Sequence, residues 1–172
     1  MDTFVNTFDF GNGPVPAHQH SNGGGWVADT ATVAESAYVG PDARVFGYAS
    51  VLDNARVFGE AQVFGYARVY GKAIVSDNAI VSGDAKVSGN ARVFGDAEVY
   101  DNAWVYGNAS VSDNARVYGN ARVYDDVWVY GNALVYDNAR VFDNAIVADN
   151  AKVSGDAIVS DNAEVSGDAV LA

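Results

Sequence analysis

The chain has 172 residues, 49% of them apolar, and a formal charge of −12 from 22 acids against 10 bases. A chain of that size and hydropathy buries a core and is not a disordered polymer, while a field of that sign repels nucleic acid phosphates and anionic lipid. It contains no cysteine, which excludes disulfides, thiolate metal sites and cysteine nucleophiles, and no apolar run approaches the length of a membrane-spanning helix.

Residues 1–26 do not repeat. Phe4, Phe8 and Phe10 lie among polar residues, followed by Gly11, Gly13, Pro14, Pro16 and the run Gly23-Gly24-Gly25. This composition predicts a cap or arm made of an extended piece around Phe4 to Phe10, a loop, and Trp26 as a plug over the first turn of the repetitive region. The segment Met1 to Phe10 carries Asp2 and Asp9 but no basic residue, so it does not read as a secretory signal, and a cytoplasmic protein is expected.

Residues 27–172 are one phrase of six, Ala-x-Val-x-Gly/Asp-Asn/Asp, repeated without insertion or deletion. Valine falls at 27, 33, 39 and every sixth position to 165, with Leu171 closing the series. Alanine falls at 31, 37, 43 and on to 169, broken only by Val127. Ala-x-Val has the two-residue period of a strand with one face buried, and the Gly-Asn, Asp-Asn or Gly-Asp after it is turn chemistry tolerant of positive φ. A helix is excluded, because a six-residue apolar spacing drifts around a 3.6-residue turn. Strands this short, with a corner every six residues, keep all Val and Ala on one side by winding into a parallel coil of three strands per 18-residue turn. The units from Ala31 to Leu171 then make about eight coils and a rod roughly 40 Å long at ~4.8 Å per coil.

The phrase resembles the hexapeptide-repeat left-handed β-helix, in which an aliphatic residue is followed four positions later by a small one, as Val117 is by Ala121. The resemblance covers residues 27 to 171 and implies an all-β, left-handed parallel β-helix, the handedness coming from the resemblance alone. The opening Gly24-Gly25-Trp26-Val27-Ala28-Asp29 and the Val-Tyr-Gly-Asn-Ala phrasing are also similar to small hexapeptide proteins of bacteriophage and prophage. That likeness implies a phage-encoded protein in the cytoplasm of a bacterial host.

Function must lie on the outer surface of such a tube. The position between Ala and Val carries nearly all the positive charge: Arg44, Arg56, Arg68, Lys86, Arg92, Arg116, Arg122, Arg140 and Lys152. At 18 residues per coil, Phe46, Phe64, Tyr100, Tyr118 and Tyr136 fall along one edge. Tyr70, Tyr106, Tyr124 and Phe142 fall along a second, and Phe58, Phe94 and Tyr130 along a third, with Ser76 and Ser112 between them. These ladders either stack on themselves or form, with the outward Trp104 and Trp128, a partner or oligomer face. The family resemblance implies a trimer of parallel rods.

The acids take the corners. Asp53, Asp77, Asp84, Asp96, Asp101, Asp113, Asp125, Asp126, Asp137, Asp143 and Asp161, with Asp149, Asp156 and Asp168, should line the three long edges. Acyltransferases of this fold generally use a histidine on a coil and a loop thrown out of the helix. Here the two histidines, His18 and His20, precede the first coil, and their i, i+2 spacing places both on one side of an extended segment. Two ligands fall short of a catalytic zinc site, so no metal, cofactor or catalytic residue is assigned. The first expectation is a non-catalytic acidic rod binding a protein with a basic surface, its edges standing in for nucleic acid phosphates, with no direct nucleic acid or membrane binding. A self-assembling structural protein is the alternative, joined through aromatic faces or end to end through Ala169-Val170-Leu171-Ala172. A divergent acyltransferase is the other.

Overall fold

The computed structural model describes residues 6–172, and Phe4 of the expected arm lies outside them. From Trp26 onward the chain is a three-sided parallel β-solenoid of two-residue strands joined by corners, with no helix. Its strands form three sheets, of nine, eight and eight strands, in which each strand pairs with the one three places on in sequence, and two strands of the arm extend the first sheet to eleven. Face I contains Trp26–Ala28, Arg44–Val45 and their successors to Val170–Leu171. Face II runs from Thr32–Val33 to Ile158–Val159, and face III from Tyr38–Val39 to Glu164–Val165. Every pairing between coils joins residue i to i+18, as Arg68 to Lys86 and Val69 to Val87.

The hexapeptide fixes this winding through its donors. In the unit around Val93, the N–H groups of Arg92, Phe94 and Asp96 donate to the carbonyls of Ala109, Val111 and Asp113 in the next coil, at 2.9, 3.0 and 2.7 Å. A fourth donor, the alanine N–H, closes the turn within the coil, as Ala91 does onto Ser88 at 3.3 Å. The corner residue after it turns the chain only at positive φ: Gly95 lies at 70° and Asp113 at 57°. Glycine carries no Cβ penalty there, and aspartate is one of the few side chains that adopts that region.

The bore is sealed. Valines 39 to 153 and alanines 37 to 151 are fully buried, and Val127 fits the alanine row with no exposure. One large and one small side chain per strand fill a narrow triangular section, and the stacked methyl groups supply the hydrophobic stabilisation that two-residue strands lack by themselves.

The arm differs from its expected form. Strand β1 (Thr7–Asp9) pairs antiparallel with β2 (Pro14–Gln19), which pairs antiparallel with β3 (Trp26–Ala28), so the stretch expected as a loop is a strand continuing face I. Pro16 fits because only its carbonyl is used on that side, accepting the Asp29 N–H at 2.9 Å just beyond β3. Nor is Trp26 a plug: it is half-buried in the outward row of face I, stacked on Phe8 at 4.6 Å. The glycines instead lie against the edge of the first face III strand, where the Gly25 N–H donates to the Val39 carbonyl at 3.0 Å and the Val39 N–H to the Asn22 carbonyl at 3.0 Å. A Cβ on Gly25 would collide with the Gly40 carbonyl oxygen, and one on Gly23 with that of Val39.

Candidate functional site

The corners carry the acids, and many of these carboxylates already have a task. The N–H of the positive-φ residue is the one the inter-coil ladder leaves over, and the aspartate at the same corner of the preceding coil takes it. Asp53 accepts from Gly71 at 2.9 Å, Asp77 from Gly95 at 3.1 Å and Asp113 from Gly131 at 3.1 Å. Asp101, Asp137, Asp143 and Asp149 do the same for Gly119, Gly155, Asp161 and Gly167. Each uses one oxygen in this way, and the other stays on the exposed edge.

The second corner position forms amide ladders directed toward higher residue numbers. Asn90 donates to Asn108 and Asn108 to Asp126, at 3.0 and 2.9 Å. Asn120 to Asn138 to Asp156, Asn132 to Asn150 to Asp168, and Asn78 to Asp96 repeat the pattern. Each run ends on a carboxylate, which accepts a charge-assisted bond and has no N–H to pass on. Asp84 forms no such side-chain bond among the described residues. Asp125, Asp126, Asp143 and Asp161 gather on the corner between faces II and III within three successive coils.

The aromatic edges stack on themselves. Phe46 lies on Phe64 at 4.8 Å, Tyr100 on Tyr118 at 4.9 Å and Tyr118 on Tyr136 at 5.0 Å, with interplanar angles of 11°, 2° and 4°. Tyr106, Tyr124 and Phe142 form the second ladder. Phe10 of the arm lies on Phe46 at 4.9 Å, so the arm lengthens the first ladder by one rung. On the third edge Ser76 and Ser112 separate the rings and are themselves buried. Partial burial, and next to it the neighbouring phenol, raise the Tyr100, Tyr106 and Tyr118 hydroxyls above the ordinary value of 10.0. Trp104 and Trp128 stay on the outer surface, 38% and 56% exposed.

The outward cations number three on face I, four on face II and two on face III, and only face II sets them in adjacent coils, which positions 18 apart in the outward row could have revealed in the sequence. Face II carries Arg68, Lys86, Trp104, Arg122 and Arg140 in five consecutive coils, each paired in register with the next. Lys86 Nζ lies 4.2 Å and Arg122 Cζ 5.6 Å from the Trp104 ring centre. Among the described residues the sole ion pair of an Arg or Lys is Arg116 with Glu98, at 3.5 Å on face I. Two grooves run beside the face II row. One, of about 500 Å³, has Ser50, Arg68, Lys86 and Trp104 on one wall and Tyr48, Tyr66, Asp84 and Asn102 on the other. The second, of about 290 Å³, continues it with Arg122 and Arg140 against Asn120, Asn138 and Asp156.

The two histidines do not share a site. His18 is exposed, with Nδ1 at 2.8 Å from Asp29 Oδ1. His20 is buried, with Nε2 at 3.0 Å from the Ala37 carbonyl, where it ties the arm to the first coil of face III. Among the described residues no group of three His, Cys, Asp or Glu side chains is placed to hold a metal ion.

A family model described as the YdcK beta solenoid repeat matches residues 85–101, 115–131 and 133–149. Each matched segment is close to one 18-residue coil, so the likeness lies in the coil as a unit and agrees with the solenoid fold. No curated protein and no solved structure matches the chain.

Proposed function

We propose that this protein is a non-catalytic rod that binds a partner protein with a basic surface through its acidic corners. The observation that carries the reading is the corner between faces II and III, where Asp125, Asp126, Asp143 and Asp161 project from three successive coils and, among the described residues, none is paired with an Arg or Lys. Carboxylates held at a fixed rise on a sealed rod present charge at regular intervals, as a nucleic acid backbone does. A protein whose groove evolved for phosphates meets a complementary surface there. The likeness of the Gly-Gly-Trp opening and the Val-Tyr-Gly-Asn-Ala phrasing to phage proteins supports a phage-encoded inhibitor of a host nucleic-acid-handling or defence protein.

The test is retention of a bacterial nucleic-acid-binding protein on immobilised rod, with competition by duplex DNA. The expected result is binding that DNA displaces, that weakens steeply between low and moderate salt, and that the quadruple variant Asp125→Asn/Asp126→Asn/Asp143→Asn/Asp161→Asn loses. Binding that is indifferent to salt and to the four substitutions contradicts the reading.

One observation favours assembly as a second reading. Exposed Trp128 on face III lines, with Ile146, Phe94 and Tyr130, an apolar hollow of about 360 Å³. A second rod seated there, in the trimer implied for this type of coil, would cover it. Light scattering on the wild type and on Trp128→Glu decides: a trimer that the substitution dissociates supports it, and a monomer in both removes it.

A further inference from the structure

We infer that face II, with the corner between faces I and II, binds an extended acidic glycan, carboxylates of the sugar chain pairing with Arg68, Lys86, Arg122 and Arg140. The first ground is charge. In-register like charges on adjacent strands repel, yet Arg68 sits opposite Lys86 and Arg122 opposite Arg140, in a chain with 22 acids to choose from. Face I shows the ordinary solution, an in-register Glu98 and Arg116. Among the described residues, face II instead leaves its cations without an ion-pair partner. Trp104 stands between Lys86 of the preceding coil and Arg122 of the following one and makes cation–π contact with both.

The second ground is the opposite wall. Asp84, Asn102, Asn120, Asn138 and Asp156 line the wall beside Lys86, Trp104, Arg122 and Arg140 and offer the oxygen lone pairs that the amide ladder leaves over, while Tyr48 and Tyr66 stand beside Ser50 and Arg68. A groove with cations on one side and acceptors on the other suits a ligand that carries both acid groups and many hydroxyl donors. A nucleic acid strand brings a phosphate at every nucleotide but few hydroxyl donors to meet that wall.

The third ground is pitch. Each coil offers one outward residue and one corner residue every ~4.8 Å, close to the length of one pyranose unit in an extended glycan. Acidic side chains on one side of an extended peptide recur at about twice ~3.3 Å and fall out of step with the coils.

Titration calorimetry with hexagalacturonate tests the inference, with cellohexaose, poly-glutamate and a single-stranded hexanucleotide as comparison ligands. The expected result is that hexagalacturonate binds and that Arg122→Ala/Arg140→Ala weakens it about tenfold or more. Trp104→Ala should weaken it less. Trp128→Ala on face III should leave it unchanged and the quadruple Asp→Asn variant of the acidic corner should not weaken it, which separates this site from that corner. The neutral glucan should bind at least about tenfold more weakly. Absence of hexagalacturonate binding at millimolar concentration in a chain with wild-type circular dichroism overturns the inference. So does equal or tighter binding of poly-glutamate or the nucleotide, or an equal loss in Trp128→Ala.

Discussion

Asp77 and Gly95 occupy the same corner in successive coils, and the Asp77 carboxylate accepts the Gly95 N–H at 3.1 Å. The corner between faces III and I alternates strictly around that pair: Gly59, Asp77, Gly95, Asp113, Gly131, Asp149, Gly167. Each aspartate caps the glycine of the next coil, and Gly59, Gly95 and Gly131 leave room for the aspartate backbone after them. Asp77→Ala removes the cap and forces a Cβ-bearing residue without a polar side chain into positive φ, which should lower stability by about 2 kcal/mol. Asp77→Asn keeps an acceptor oxygen and tolerates the conformation, so it should lose less than about 1 kcal/mol. Chemical denaturation of the two variants against wild type measures the difference, and equal losses would refute the capping role.

Gly95 and Gly167 turn the chain at nearly the same φ, 70° and 65°, but their surroundings differ. A Cβ on Gly95 would lie 2.9 Å from the Asp113 backbone nitrogen, while one on Gly167 would meet nothing within 4 Å. Gly167→Ala should therefore cost only the backbone strain, about 1 kcal/mol, and Gly95→Ala should cost about 2–3 kcal/mol because the next coil must shift as well. The order of the two denaturation midpoints is the readout.

The tube was legible in the sequence because valine and alanine recur with no insertion or deletion, Val127 alone replacing an alanine, and one residue of slip would turn the core outward. Spacing of 18 also placed Phe46 below Phe64 and Tyr100 below Tyr118, and their stacking is a consequence of that register. The capping role of the corner acids was hidden. Asp at a turn reads as a solvated residue, and only the inter-coil hydrogen bonds show that one N–H per unit is left over for it. The cationic row of face II could have been found by applying the same spacing to the position between Ala and Val. The arm was the least legible part, since Pro14 and Pro16 read as loop and their tolerance depends on where β3 ends.

Phe10 links that arm to the rod. It packs on Phe46 at 4.9 Å and on Phe8 at 4.8 Å, and sits in a small buried cluster with Ala17 and Ala28. Phe10→Ala removes two aromatic contacts worth about 0.5–1.5 kcal/mol each. In a solenoid each coil contacts only its neighbours, so the loss should stay local. Hydrogen exchange should quicken in residues 6–30 and stay at wild-type rates beyond Ala61. Acceleration along the whole rod would show that the arm stabilises every coil.

Tyr118 stands between Tyr100 and Tyr136, and burial followed by the neighbouring phenol holds its hydroxyl above the ordinary value of 10.0 in the folded chain. The unfolded chain ionises first as pH rises past that value, so the unfolded state gains stability there and the folded rod loses it. Stability from these phenols is fully present below pH 10 and is lost as pH climbs through the raised folded values of Tyr100, Tyr106 and Tyr118. Tyr118→Phe keeps both stacks and removes one titrating group together with its repulsion of Tyr100. Its melting temperature should match wild type at neutral pH and fall less steeply above pH 10, a slope that thermal melts across that range measure directly.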